Sequence, residues 1–324
     1  MPRYTIGVDI GGTKIAAGVV GSAGRVLARV TSRAHAGQPP EKVIAATLQA
    51  VQTVQARAGL AGSDIAAVGV GFPGHVHSAR GLVLTCSNLP AWNNHPLRER
   101  LQEALELPVV LDNDCNCAAW GEYRYGAGRD ARYLCYITLS TGCGAGIVLD
   151  GKLYAGATGT AGEIGHTVVD PGGPLCTCGK RGCVMSYACG MALSRMACER
   201  VRRGEPTLLR ELCGPAPEQI SGEAVAQAAA QGDRVAQELL ATTGHYFGLA
   251  LSTIVQLLNP DRIVIGGGLA HIGAPLMDPC LQALNENIHP SLIGSAEIVF
   301  SQLWEDAGMI GAADLARELA GSVQ

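Results

Sequence analysis

Thr5-Ile6-Gly7-Val8-Asp9-Ile10-Gly11-Gly12-Thr13-Lys14 is a short apolar run that ends on a carboxylate and turns through two glycines into a hydroxyl and a lysine. In such a turn the backbone N–H groups are free to point outward, and the missing side chains allow phosphate oxygens close to the main chain. Thr13 adds a hydroxyl donor, and Asp9 at the strand end is placed to anchor magnesium. Taken alone, the run reads more readily as an ordinary Gly-Gly hairpin turn. The neighbouring segments shift the balance. Residues 15–20 are apolar, residues 21–24 form a glycine turn, and residues 26–31 are again strand-like, so three strands are expected, joined by glycine turns. Between 41 and 58 the apolar positions Ile44, Leu48, Val51, Val54 and Ala58 recur at helical spacing with no internal Gly or Pro. Then come an apolar run at 65–70 ending in Gly71-Phe72-Pro73-Gly74, a helix around 96–105, and a strand at 109–111 that delivers Asp112-Asn113-Asp114.

The second half begins in the same way. Residues 133–139 are apolar, Ser140-Thr141-Gly142-Cys143-Gly144 is a glycine turn carrying hydroxyls, and 147–149 and 151–154 continue the meander. Later, 246–258 reads as a buried helix, and the strand at 262–265 runs into Gly266-Gly267-Gly268, echoing 65–71. Two related α/β halves are expected, and a duplicated fold places its ligands in a cleft between the copies. Two donor-rich turns at equivalent places can converge on one polyphosphate, which a chance Gly-Gly hairpin does not explain. The G-x-x-x-x-G-K-[ST] spacing of a P-loop is absent, and Gly266 to Gly268 do not open a Rossmann helix. The hinge is expected near 114–126. The C-terminal helix, roughly 308–319, carries Gly308, Gly311, Ala312 and Ala313, small residues that permit docking back onto the first domain.

His166, Cys176, Cys178 and Cys183 have the spacing H-x9-C-x-C-x4-C, set among Gly172, Gly173, Gly179 and Gly182, which let a short loop wrap tightly. One imidazole and three thiolates are a tetrahedral Zn²⁺ set, and four protein donors leave no position for a water nucleophile, so a structural zinc is expected. The alternative, three free surface thiols, would be a chemical liability. Glu163 lies three residues before His166, so metal and carboxylate can together position one ligand. The other nine of the twelve cysteines read as small, mostly buried residues of a chain in a reducing compartment.

The bulk numbers agree with this organisation. At 324 residues the chain exceeds the size at which one core keeps growing, and two domains are expected. Hydrophobic residues make up 48% and charged residues 16%, and 43 glycines imply many tight turns. A net charge of −4 without a long Lys/Arg block gives no footprint for nucleic acid. No apolar run approaches a membrane span and no signal-peptide layout is present, so a cytoplasmic protein without membrane contact is expected.

Together these segments resemble the ROK family of sugar kinases and repressors, which has the duplicated, actin-like (ribonuclease H-like) ATPase fold, an α/β architecture of two lobes with a central cleft. The resemblance covers nearly the whole chain and rests on six matches in order: Asp9-Ile10-Gly11-Gly12-Thr13-Lys14, Gly71-Phe72-Pro73-Gly74, Asn88-Leu89-Pro90-Ala91-Trp92-Asn93, Asp112-Asn113-Asp114-Cys115-Asn116, Gly162-Glu163-Ile164-Gly165-His166 and the run from Cys176 to Cys183. It implies a small lobe of residues 1–116 plus about 305–324, and a large lobe of about 117–304 with the zinc loop. It implies that Asp114 is the catalytic base and that Gly74, Asn88, Asn113, Glu163 and His166 form the sugar site. Asp9, Gly11, Gly12, Thr13, Lys14, Thr141 and Gly142 would surround the phosphates and magnesium of ATP, with Gly266, Gly267 and Gly268 beside the nucleotide. A carboxylate poised on a hydroxyl can take its proton as phosphoryl transfer proceeds, although Asp114 also reads as an N-cap of the next helix. Asn, Glu and His suit a polyol because each hydroxyl wants both a donor and an acceptor. Trp92 could give the sugar an apolar face, but a Trp in a Pro-rich loop is more often a packing anchor.

Two departures from the family pattern matter. Members that phosphorylate glucose or N-acetylmannosamine usually carry a glutamate two residues after the last zinc cysteine, where it grips hydroxyls at the anomeric end; here Met185 stands there. The exchange forfeits about 1.5–3 kcal/mol for a charged acceptor, unless a neighbour or water compensates or the site prefers a different or substituted hexose. Ser140 and Ala145 also replace residues that are commonly glycine. The expected activity is transfer of the γ-phosphate of ATP to a hexose, glucokinase-like in preference to N-acetylmannosamine kinase, by a homo-oligomer, a dimer as among relatives. The competing class is a sugar sensor without catalysis. A repressor is not expected, because family repressors carry an N-terminal helix-turn-helix and only Met1 to Tyr4 precede the first phosphate strand.

Overall fold

In the computed structural model, which describes residues 4–86, 90–212 and 219–322, the opening run becomes β1 (Tyr4–Ile10), hairpinned to β2 (Ile15–Val20) and then β3 (Val26–Ser32). The chain continues through α1 (Pro40–Arg57), β4 (Ile65–Phe72), a short hairpin of β5 (His75–His77) and β6 (Leu82–Thr85), α2 (Leu97–Leu105), β7 (Val109–Asn113) and α3 (Asp114–Tyr125). The first sheet has the order β3-β2-β1-β4-β7, with β1, β4 and β7 parallel. Asp9 therefore sits beside Gly71, and Gly71 beside Asp112, so the C-terminal ends of three parallel strands bring the acidic residues to one edge.

The second half repeats the plan. β8 (Tyr133–Leu139), β9 (Cys143–Leu149) and β10 (Lys152–Leu153) form the meander, followed by α4 (Gly190–Arg202), α5 (Leu209–Leu212), α6 (Gly222–Ala230), α7 (Arg234–Leu258), β11 (Arg262–Gly266), α8 (Ala274–Asn287), β12 (Glu297–Phe300) and α9 (Ala307–Ser322). Its sheet order, β10-β9-β8-β11-β12, copies the first: three antiparallel strands, then a strand on the far side of the first, then one more. Two elements differ from the sequence reading. β9 begins at Cys143, so Cys143 and Gly144 are strand rather than turn. The helix expected at 246–258 begins twelve residues earlier, at Arg234, capped by the Asp233 carboxylate on the Ala236 N–H; Thr242, Thr243 and Gly244 hide this first half from a propensity reading.

Two compact units emerge, one of Met1–Tyr136, Gly146–Gly162 and Ser301–Gln324, the other of Ile137–Ala145 and Glu163–Phe300. In the first unit, strand alternation sorts the two faces of β1. Ile6, Val8 and Ile10 join Val43, Ile44, Val51 and Val54 of α1 in one core, while Gly7 and Asp9 face α9. That second face needs glycine for a steric reason. A Cβ on Gly7 would lie 1.8 Å from the Met309 carbonyl oxygen, and one on Gly69 would lie 1.8 Å from that of Ala312. α9 meets α3 just as closely, Gly311 against the Cys117 carbonyl and Gly121 against that of Ala307. In the second unit α7 and α8 approach in the same way, with Gly244 and Gly248 against the carbonyls of Leu276 and Cys280. Of the eight described cysteines outside the cluster that ends at Cys183, seven are buried and Cys86 is half-buried. Among the described residues no helix is long and apolar enough to cross a membrane.

Candidate active site and metal centre

At the acidic edge of the first sheet, β7 hands its last residue to α3. Asn113 is the N-cap, its side-chain oxygen accepting from the N–H groups of Cys115 and Asn116, while its amide donates to the Gly74 carbonyl at 3.0 Å. Asp114 is thus the first residue of the helix rather than its cap, and its Oδ1 accepts from the Cys115 N–H at 2.9 Å. Asn113 makes the cap, and the Asp114 carboxylate beside it is half-buried. Gly74 has φ +97°, and a Cβ there would meet the Thr85 carbonyl at 2.8 Å, so glycine is required in the strap that Asn113 holds.

Asp112, next to them, is buried and accepts from Ser78, Asn116 and the Asn113 N–H; burial raises its pKa against the pull of those hydrogen bonds. Asp9 is the more perturbed group. Burial, and then the negative charge of Asp114, push it from 3.8 to about 7, with Lys14 acting in the opposite sense. Gly308, in the first turn of α9, lies against its carboxylate, where a Cβ would come within 3.1 Å of both Cγ and Oδ2.

The turn after β1 is closed by the Gly11 N–H on the Lys14 carbonyl at 2.8 Å and tied down by the Ala36 N–H on the Gly11 carbonyl. Gly12 and Thr13 are exposed, and a Cβ on Gly12 would meet no protein atom within 4 Å. Packing therefore does not explain this glycine. Lys14 reaches Glu305 at 2.6 Å, and Arg29 touches both Glu305 and Asp306. This acidic pair was not anticipated from sequence, because it lies 291 residues from Lys14 in the chain. Trp92 is the packing anchor: it is fully buried on Phe72 with ring centroids 4.6 Å apart, and its indole N–H donates to the Ala36 carbonyl. Asn88 lies outside the described residues.

In the second unit His166, Cys176, Cys178 and Cys183 converge, their donor atoms all within 4.8 Å of one another. The loop folds on two left-handed glycines. Gly179 turns the chain so that the Cys176 N–H reaches the Lys180 carbonyl, and a Cβ on Gly182 would fall 1.4 Å from the Asp170 carbonyl oxygen. A tetrahedron with Zn–S of about 2.3 Å and Zn–N of about 2.05 Å has edges of about 3.8 Å between sulfurs and about 3.6 Å from sulfur to nitrogen. The Cys178–Cys183 sulfurs are 3.7 Å apart, and the Cys176 sulfur is 3.6 Å from His166 Nδ1. The donor set fits zinc. Burial and the neighbouring thiols hold Cys183 up at about 12, a cost that a dication shared by the sulfurs removes. His166 turns its other nitrogen, Nε2, toward the Glu163 carboxylate at 3.9 Å, so one imidazole can face the metal and a ligand at once.

The hairpin turn after β8 carries the exposed Thr141 and half-buried Gly142, with the Ser140 N–H on the Gly142 carbonyl. Gly266 ends β11, and Gly267 needs its φ of +88° and its missing side chain because a Cβ would sit 2.5 Å from the Leu139 carbonyl oxygen. A Cβ on Gly268, like one on Gly12, would meet no protein atom.

A family model described as ROK family matches residues 5–319. The chain is 39% identical over 323 residues to a glucokinase from Streptomyces coelicolor, covering 97% of this chain and 98% of that protein. It is 35% identical over 322 residues to a glucokinase from Thermotoga maritima, covering 99% and 100%. Among solved structures, a ROK family glucokinase from Streptomyces griseus in complex with glucose and AMPPNP superposes with a TM-score of 0.84 at 38% identity, covering 97% of this chain and 99% of that one.

Proposed function

The chain belongs to the ROK family, with its duplicated actin-like ATPase fold, and on that premise we propose that it is an ATP-dependent sugar kinase whose acceptor is glucose, converted to glucose 6-phosphate. The observation that carries this reading is the full-length likeness to glucokinases, joined to two carboxylates, Asp9 and Asp114, brought to one sheet edge beside a glycine turn. Asp114 is assigned as general base. It takes the proton of the sugar's primary hydroxyl as that oxygen bonds to the γ-phosphorus and the bond to the β-γ bridging oxygen breaks, releasing ADP.

The turns at Gly11 to Lys14 and at Thr141 and Gly142 are assigned to the phosphates, and Gly266 to Gly268 to the nucleotide. Asp9 would hold Mg²⁺, which spreads the charge of the transferred group; a carboxyl that burial, and then Asp114, push up to about 7 is a hard oxygen donor suited to that ion. Asn113 has one amide hydrogen left beyond its bond to Gly74 and is assigned with Gly74, Asn88, Glu163 and His166 to the sugar hydroxyls. Zinc held by His166, Cys176, Cys178 and Cys183 would be structural, since four protein donors fill its tetrahedron.

ADP release measured with glucose, mannose, N-acetylmannosamine and N-acetylglucosamine tests the reading. Glucose should give the highest kcat/KM, and Asp114→Asn should lower kcat by roughly 10²–10⁴-fold while calorimetric glucose affinity stays near wild type. No turnover with any hexose, with sugar binding intact, would instead make the protein a sensor.

A further inference from the structure

The metal-binding segment of the second unit reaches the glycine turn after β8 at three separate points. On the His166 side, Gly165 packs on Cys143, the first residue of β9 after the turn, and a Cβ there would fall 2.2 Å from the Cys143 carbonyl oxygen. On the Cys183 side, the chain runs through one short helical turn at Val184–Ser186, and the half-buried Met185 sends its thioether sulfur over Gly142, 3.5 Å from where a Cβ would stand. The same run ends in α4, whose first N–H groups close on the turn: Gly190 donates to the Ser140 carbonyl at 2.7 Å and Met191 to that of Thr141 at 3.2 Å. Cys189, the cap of α4, ties the two pieces together by donating its thiol to the Met185 carbonyl at 3.1 Å.

These contacts give the cluster a second task beside the placing of His166. A turn of three residues with an exposed Thr141 has little packing of its own, yet Cys183 lies only seven residues before Gly190, and Gly165 is next to His166. Fixing the four donors to one ion would fix both flanks of the turn. Met185 is the side chain that joins the two, a flexible apolar group filling the gap over a glycine.

We propose that the metal centre positions the 140–142 turn for the nucleotide, and that Met185 is the positioning residue that couples them. The inference rests on the assignment of Thr141 and Gly142 to the phosphates. It predicts that disturbing Met185 weakens nucleotide binding more than sugar binding.

The test is calorimetric titration of AMPPNP, and separately of glucose, into wild type, Met185→Ala, Met185→Leu and Thr141→Ala, with zinc content measured for each. Hydrogen exchange at residues 140–144 is followed before and after zinc is stripped by a chelator. Met185→Ala should keep its zinc, bind AMPPNP about five-fold more weakly and exchange faster at 140–144, with glucose affinity changed by less than about two-fold; Met185→Leu, of nearly the same volume, should recover most of the loss. Zinc removal should speed exchange in the same turn. Unchanged AMPPNP affinity in Met185→Ala, or a larger loss for glucose than for AMPPNP, overturns the proposal. Thr141→Ala separates the two layers. If it weakens AMPPNP binding while Met185→Ala and zinc removal do not, only the coupling fails; if Thr141→Ala has no effect either, the phosphate role of the turn fails with it.

Discussion

Asp9 shows at the residue scale how the fold prepares a site and what that costs. A carboxyl held at about 7 keeps its proton in the folded protein through the range above 3.8 in which an unfolded chain has lost it. Between those values the folded state binds the extra proton, so this group's contribution to stability falls as pH rises from about 4 to about 7. Asp9→Asn should therefore raise the melting temperature of the metal-free protein at pH 7.5 and leave it nearly unchanged at pH 4. In the presence of substrates the same variant should require far more Mg²⁺ for turnover, and wild-type Mg²⁺ affinity should drop below pH 7 as protons compete. A variant with wild-type melting at both pH values would show that Asp9 is not the strained group. Asn113 makes the complementary point: it takes the capping role, and the carboxylate of Asp114 stands at the helix end accepting from the Cys115 N–H. Nothing in the Asp112-Asn113-Asp114 run tells which of the three caps, because all three are good caps.

At the scale of elements, the loop that gathers His166 and the three cysteines was the most legible piece and the glycine turns were the least. Its donor spacing and interleaved glycines specify a local object, since Val168–Cys183 and Leu175–Arg181 bridges close it within residues 168–183. Cys178→Ser should release the metal, speed exchange at the Glu163 and His166 amides, and lower the melting temperature; full metal content by elemental analysis would contradict the assignment. Asn113→Ala should cost about 1–2 kcal/mol in chemical denaturation, because it removes the cap of α3 and the tie to Gly74 together. The turns at 11–14 and 140–142 could be found from sequence only because they repeat. Alone, each is indistinguishable from a hairpin turn.

At the scale of the whole molecule, the duplicated sheet order and the return of α9 onto β1, β4 and α3 decide where the acidic edge lies. The glycines on that face divide into two kinds. Gly69→Ala would put a methyl group 1.8 Å from the Ala312 carbonyl oxygen and should destabilise the protein by about 2–4 kcal/mol in a urea titration, by forcing α9 off the sheet. Gly12→Ala, which meets no protein atom, should leave stability in the same titration within about 0.5 kcal/mol of wild type and act on nucleotide binding instead.

The sequence by itself determined the repeat, the two hydroxyl-bearing glycine turns, the acidic ends of the strands and the four metal donors, because each is written in residues close together along the chain. Only the tertiary structure decided that Asn113 rather than Asp114 caps α3, that Glu305 reaches Lys14, that Trp92 is buried and that Met185 lies over Gly142. Those outcomes depend on which surfaces pack together, often across hundreds of residues, and hydrophobic periodicity carries no record of that choice.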